Sequence, residues 1–302
     1  MPYIIITIVV LILIGFIVGT VFTFGLIKPK KRNFIETAEI ESEYYPGIME
    51  FYKENLTTKY IVKSKYGYDL QAYFLKNKIE SKKFMVMAHG HTYTHHGCLK
   101  YARMMMKHGY NIVLYDERFH GDSGGEFTCL GYLEKDDLYT MISDTISRYG
   151  DDIFIGTYGE SMGAATVLLE AEIDKRIKFV VSDCSFSDFS LLIRQLSWSK
   201  FKIPVYPIYW FTLLVFKINT GINIKGISPI KAINNVSVPI MFVHGKADAY
   251  IPYTHSVDMY ESYKGEKQLF LADNNAQHAG SYYADQEKYE WSIKEFLDKY
   301  VK

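Results

Sequence analysis

The sequence predicts an α/β protein: a mostly parallel central sheet with helices on both faces, a helical cap insertion, and an N-terminal transmembrane helix. Three observations predict it. From about residue 60 onward, short apolar strands alternate with segments of helical period, the rhythm of a parallel sheet with crossover helices. Residues 154–166 read as an apolar strand, a Gly-Glu-Ser-Met-Gly turn and an Ala-rich helix start. Residues 2–27 carry no charged side chain.

Composition narrows the class. The chain has 302 residues, enough for one large domain with a sizeable core. Its formal net charge is zero, so no long-range field points to nucleic acid as a partner. Cys98, Cys129 and Cys184 lie far apart without Cys-x-x-Cys spacing, which indicates neither a disulfide framework nor a thiolate zinc site. The 26 Tyr and 19 Phe are composition bias rather than a stacking signature.

Taken in order, the apolar run from Ile4 to Ile14 continues through Gly15, Gly19 and Gly25, long enough to cross a bilayer as a helix. A cleaved signal peptide is the alternative. No basic residue precedes the run and no Ala-x-Ala-like site closes it, so an uncleaved single-pass anchor over residues 1–32 is expected. Lys28, Lys30, Lys31 and Arg32 follow it and favour a cytoplasmic catalytic domain; an outward-facing domain is the alternative. Residues 33–57 read as a helical linker packing on the domain, with no function assigned.

The remainder, residues 58–302, forms the expected catalytic domain. Strands are predicted at Tyr60–Val62 and Leu70–Leu75 as a hairpin, then at Phe84–Ala88, Asn111–Asp116, Phe154–Glu160, Phe179–Asp183, Val238–Gly245 and Lys267–Leu271. Helices are predicted near 98–108, stopped by Gly109, at 134–149 with Glu134, Asp136 and Asp137 in the first turn, and near 162–173, 256–263 and 285–300. Between 185 and 227 the rhythm stops in an aromatic, apolar segment bounded centrally by Lys202 and Lys217. That stretch is too short for a second span. It is expected to be a cap over the sheet edge that shapes the pocket, with ordinary core helices as the alternative.

Gly-x-Ser-x-Gly alone is a weak motif, but the strand-turn-helix setting is the one the motif needs. Gly159 and Gly163 permit the tight turn and close helix approach that lift Ser161 above the sheet edge. A serine hydroxyl is a poor nucleophile at neutral pH, so Ser161 requires a base.

Several further motifs accompany this turn: His89-Gly90 after a strand, Asp116 to Gly125 with Arg118 and His120-Gly121-Asp122-Ser123, Ser228-Pro229, His244-Gly245-Lys246-Ala247-Asp248 with Ile251-Pro252, and His278. Together they resemble the α/β-hydrolase superfamily over residue 60 to the end. The chain is similar to bacterial membrane-anchored serine hydrolases of cinnamoyl and feruloyl esterase-like, dienelactone-hydrolase-like and serine aminopeptidase-like type. The resemblance implies a triad of Ser161, Asp248 and His278, in the order Ser, acid, His that this fold uses. Asp183, at another strand end, is the competing acid. The oxyanion donors implied are the backbone N–H groups of His91 and Met162. His89 and Asp116 to Asp122 are expected to shape loops.

His89, His91, His95 and His96 are close enough in sequence to ligate a metal, yet lack a neighbouring carboxylate cluster. Neither metal nor cofactor is expected. The expected partners are a small-molecule ester or short peptide and, through the N-terminal helix, a membrane; no nucleic acid is expected. Cleavage of carboxylic esters through an acyl-enzyme on Ser161 is the leading function. Aminopeptidase-like cleavage of short peptides is the alternative, and a catalytically silent binding module would require a missing triad member.

Overall fold

The computed structural model describes residues 2–199, 205–273 and 275–301. Part of the expected cap, residues 200–204, and Asn274 in the loop before His278 lie outside the described residues. Eight strands form one sheet: β1 (Leu56–Lys63), β2 (Asp69–Leu75), β3 (Lys83–Ala88), β4 (Asn111–Tyr115), β5 (Phe154–Glu160), β6 (Phe179–Asp183), β7 (Ile240–Gly245) and β8 (Lys267–Ala272). Their spatial order is β1-β2-β4-β3-β5-β6-β7-β8. β1 and β2 pair antiparallel, as do β2 and β4; every other pairing is parallel.

Twelve α-helical segments accompany the sheet among the described residues: α1 (Pro2–Ile27), α2 (Phe34–Tyr44), α3 (Ile48–Asn55), α4 (Leu99–Lys107), α5 (Glu134–Tyr149), α6 (Met162–Ile173), α7 (Phe189–Ser199), α8 (Val205–Thr220), α9 (Pro229–Ala232), α10 (Thr254–Ser262), α11 (Ser281–Ala284) and α12 (Gln286–Tyr300). Two apolar layers show that both sheet faces are covered. One joins Met85, Met87, Ile112 and Leu114 to Met104, Met105, Ile293 and Phe296. The other joins Val86, Val113, Val180 and Phe242 to Leu138, Met141, Leu168 and Met259. Alternate residues of the same strands feed opposite layers, as a period of two requires.

Residues 33–57 are mostly helical, as expected, and hold two helices. Asn33 caps α2 with a reciprocal bond to Glu36, and the chain then turns at Pro46-Gly47, where Gly47 has φ 79°. α1 is the one helix among the described residues long and apolar enough to span a membrane, with a mean hydropathy of 3.1 over its best window. Its carboxyl-terminal half is not free. Gly15 and Gly19 face Phe211 of α8 so closely that a Cβ on Gly19 would stand 2.7 Å from the Phe211 Cβ.

The insertion between β6 and β7 is helical, as expected. α7, α8 and the turn at Ile222–Ile227 share an apolar cluster with Ile27 of α1, Leu130 and Met162.

Candidate active site

The parallel pairing of β3, β5, β6 and β7 brings their carboxyl ends to one edge, where Ala88 pairs with Gly159 and Glu160 with Asp183. Ligand sites in open α/β sheets lie outside such an edge. Here the loops after β3, β5, β7 and β8 supply His91, Ser161, Asp248 and His278.

Ser161 ends β5 with φ 56° and ψ −113°, a strained conformation for a residue with a side chain. Its glycine neighbours leave no room for a side chain. A Cβ on Gly159 would sit 2.1 Å from the Gly163 carbonyl oxygen, and one on Gly163 would sit 2.1 Å from that of Ala88. These contacts give both glycines a physical reason: strand, turn and helix touch backbone to backbone.

The Ser161 Oγ lies 2.8 Å from His278 Nε2. On the far side of the ring, Nδ1 lies 2.7 Å from Asp248 Oδ2. Asp248 is fixed from three directions. Its Oδ1 accepts the N–H groups of Tyr250 and Ile251, both at 2.8 Å, and its Oδ2 also faces His244 Nε2 at 3.2 Å. Because His244 Nε2 also meets the Ile251 carbonyl at 2.8 Å, that nitrogen carries the proton, and Nδ1 accepts from the Ser256 hydroxyl. Burial works against the Asp248 charge, yet hydrogen bonds from His244 and His278 hold its carboxyl well below the usual carboxylate range. Asp248 therefore presents an ionised acceptor to the His278 Nδ1–H.

Asp183, the competing acid, makes no such bond. It is fully buried beneath the site, accepting from Tyr289 at 2.8 Å and Tyr101 at 3.0 Å. Burial, reinforced by the Glu160 charge, pushes its carboxyl up.

The two N–H groups implied for an oxyanion flank the serine. Met162 is the first residue of α6, and the opening N–H groups of a helix have no carbonyl one turn back. Across the turn, a Cβ on Gly90 would lie 3.5 Å from the Ser161 Cβ, so the Gly90-His91 segment borders the nucleophile. Buried histidines hold this loop. His89 Nε2 accepts the Glu117 N–H at 2.9 Å, and its Nδ1 donates to the Gly90 carbonyl; burial lowers its pKa to about 4. His120 Nε2 accepts the Thr92 N–H at 3.0 Å, and burial keeps that ring neutral as well.

His95 is stacked on Tyr73 and bonded through Nδ1 to Asp116 at 2.9 Å. His96 Nδ1 meets Thr37 at 3.0 Å. With ring nitrogens committed in this way, the four histidines that suggested a metal test do not converge; no three potential metal-ligating side chains do so among the described residues.

A cavity of about 1200 Å³ opens over Ser161 and His278. Its walls contain the residues that sequence reasoning missed. Ile40, Glu41, Tyr44 and Tyr45, from α2 and the turn after it, line one side, so the segment read as a linker without function is part of the site. None of the described residues of the 185–227 insertion lines the cavity. Among the described residues, then, the insertion does not shape the pocket as expected; residues 200–204 fall outside them. Its apolar side chains pack on α1 and α6 instead.

Lys100 and Glu160 form a buried ion pair at 2.7 Å in the same cavity. Burial disfavours the Lys100 charge, but Glu160 and Glu41 hold the ammonium protonated. Glu41 accepts from the Tyr93 hydroxyl at 2.9 Å through Oε1, while its buried Oε2 has no hydrogen-bond partner among the described residues. Burial raises the Glu41 pKa against the pull of Lys100. The only sequence signal for this cluster was charge at Glu41, Lys100 and Glu160, in three separate segments.

A serine, an imidazole and a carboxylate linked in this way on this sheet define a hydrolase of the α/β-hydrolase type. Comparison with known proteins agrees. Residues 53–195 match the family described as X-Pro dipeptidyl-peptidase (S15 family). The chain is 30% identical over 283 residues to the protein YqkD of Bacillus subtilis (strain 168), covering 93% of this chain and 92% of that one. Among solved structures, the Pyrococcus furiosus esterase Pf2001 superposes with a TM-score of 0.66 at 22% identity, over 82% of this chain and 94% of that one. Est1E from Butyrivibrio proteoclasticus, with ferulic acid bound, gives a TM-score of 0.65 at 18% identity, over 80% and 99% of the respective chains. The chain belongs to the α/β-hydrolase superfamily, in the family that includes YqkD.

Proposed function

We propose that the protein is a membrane-anchored serine hydrolase that cleaves carboxylic esters through an acyl-enzyme on Ser161. The observation that carries this is the continuous chain from Ser161 Oγ through His278 to Asp248, at 2.8 and 2.7 Å. His278 Nε2 takes the hydroxyl proton as Ser161 Oγ attacks the ester carbonyl. The tetrahedral oxyanion is held by the His91 and Met162 N–H groups. His278 then returns the proton to the departing alcohol, leaving the acyl group on Ser161. Water enters, gives a proton to His278 and attacks the acyl carbonyl; the bond from the acyl carbon to Ser161 Oγ breaks, His278 returns the proton to Oγ, and the acid leaves. Asp248 keeps the imidazole in the tautomer with Nδ1 protonated and stabilises the imidazolium. No cofactor takes part in this cycle.

In this reading residues 1–32 anchor the chain and residues 33–57 contribute a wall of the site. Residues 58–302 form the catalytic domain. Lys28, Lys30, Lys31 and Arg32 favour the cytoplasmic side for that domain.

A second reading, cleavage of short peptides, is favoured by one observation. In the buried cluster on the cavity wall two carboxylates, Glu41 and Glu160, face one ammonium, Lys100, while Glu43 and Arg32 complete the charged lining. A free amine on a substrate would complete that balance and bond the unpartnered Glu41 Oε2.

Fluorophosphonate labelling of wild type and Ser161→Ala tests the mechanism: labelling confined to wild type is expected, and labelling that survives the substitution would contradict it. The substrate class is tested with p-nitrophenyl esters, methyl ferulate and aminoacyl anilides. Faster turnover of the anilides would promote the peptide reading.

A further inference from the structure

The apolar surface of α1 does not end with α1. α8 crosses it at a seam of small residues: Gly15 and Gly19 admit Phe211, and the Thr23 hydroxyl reaches the Thr212 carbonyl at 3.4 Å. Small residues every fourth position are how helices approach closely in lipid, where burial of apolar area gives no preference for protein over acyl chain. Beside this seam α8 leaves Trp210, Leu214 and Ile218 at least half exposed. These recur every fourth position and so form one stripe, with Tyr206 and Trp198 exposed nearby. Lys225 lies 5.6 Å over the Trp210 ring, an aromatic and cationic pairing typical of the headgroup level. α8 is interrupted at Tyr206, whose φ of −106° and ψ of 133° are not helical, and the run after it, residues 207–220, is about 21 Å long, short of the roughly 30 Å core.

The carboxyl end of α1 is also clamped to the catalytic edge. The Leu26 carbonyl accepts from His91 Nε2 at 2.9 Å, the Ile27 carbonyl accepts the Thr128 N–H at 2.9 Å, and the Arg32 N–H donates to the Thr92 carbonyl at 2.9 Å. Arg32 itself lines the cavity. The site therefore sits within a few residues of where α1 would leave a bilayer.

We propose that α8 lies in the same leaflet that α1 leaves, its Trp210-Leu214-Ile218 stripe among the acyl chains, and that the enzyme hydrolyses amphiphilic esters partitioned into that leaflet. This rests on α1 being a membrane anchor and Ser161 the nucleophile. The apolar stripe is continuous with the lipid-facing surface of α1, which favours lipid over a second protein copy as its occupant.

The test uses the full chain in phosphatidylcholine vesicles with acyl chains brominated at defined depths. Trp210 is left as the sole tryptophan by Trp198→Phe and Trp291→Phe, both exposed positions. Quenching of Trp210 by at least twofold is expected. In the same vesicles, Leu214→Ser with Ile218→Ser should lower hydrolysis of a long-chain ester held in the bilayer by tenfold or more, while turnover of a water-soluble short-chain ester stays within twofold. Circular dichroism checks that this variant is folded. Unquenched Trp210 in protein that resists alkaline extraction overturns the proposal and spares the anchor, as does a dimer that shields Trp210. Equal effects on both esters, or none on either, also overturn it. Release by alkaline extraction would overturn the anchor reading as well, and loss of fluorophosphonate labelling in wild type would overturn the serine mechanism.

Discussion

α2 and the β6–β7 insertion adjoin the same edge of the sheet and do different work. α2 is mixed in polarity and turns Ile40, Glu41 and Tyr44 into the cavity over Ser161. The insertion is more apolar, and its described residues turn away, onto α1 and α6. The difference follows from what each segment can bury. A helix carrying Glu41 needs a polar cavity with Tyr93 and Lys100 in it; a helix reading Trp-Phe-Thr-Leu-Leu-Val-Phe needs apolar neighbours on most sides. Position in an insertion over the sheet does not by itself make a segment a substrate wall.

Both regions presuppose one catalytic floor. His278→Ala should lower kcat on the order of 10⁴-fold or more, and Asp248→Asn by roughly 10⁴-fold, measured with a p-nitrophenyl ester. Residual turnover within tenfold of wild type would break the comparison at its base, since there would be no reaction centre for α2 to border.

The next effect falls on the loop after β3, which α2 touches through Thr37. Asp116 accepts bonds from the His95 N–H, His95 Nδ1 and Tyr73 hydroxyl, each at 2.9 Å. Burial opposes its charge, but His95, by charge and hydrogen bond, leads the groups that keep its carboxyl well below the usual range. Asp116→Asn should cost roughly 3 kcal/mol at neutral pH, read by denaturant unfolding in detergent. A folded pKa below the unfolded value means that the contribution is fully present above about pH 4 and is lost as pH falls through the folded pKa. The gap between wild type and variant should therefore be level from pH 7 to 5 and close below pH 4. A gap that widens on acidification would reverse the assignment.

Glu41→Gln sharpens the comparison itself. It should lower kcat/KM for an aminoacyl anilide about tenfold, the scale of one charge-assisted hydrogen bond, and leave a neutral ester within twofold. Ile218→Ser in α8 should leave both soluble substrates within twofold. Equal responses at the two positions would erase the distinction between wall and membrane-facing helix. The smallest effect is expected at the seam: Gly19→Ala, with its Cβ 2.9 Å from the Phe211 carbonyl carbon, should cost about 1 kcal/mol by overpacking and shift the melting temperature down without changing kcat.

Much of this was legible in the sequence because it is local. The elbow needs glycine on both sides of Ser161, and the strands and helices announce themselves by period. Asp248 could be preferred over Asp183 only through resemblance, since both follow apolar strands; the bond to His278 depends on which way each loop turns. Glu41 was illegible for a related reason. Its partners Tyr93 and Lys100 are more than fifty residues away, and an amphipathic helix carrying a glutamate reads as an ordinary solvated linker. The seam between α1 and α8 was not visible: Gly15 and Gly19 stood in the apolar run, and nothing in their spacing names Phe211 as the partner.

The central claim, covalent catalysis at Ser161, is tested most directly by trapping the acyl-enzyme. The full-length protein is mixed with a slowly deacylating ester, quenched in acid, digested and examined by mass spectrometry. One acyl group is expected on the peptide containing Ser161, absent in Ser161→Ala and accumulating in step with a burst of alcohol. Turnover in Ser161→Ala at the wild-type rate, or an acyl group on any other residue, would contradict it.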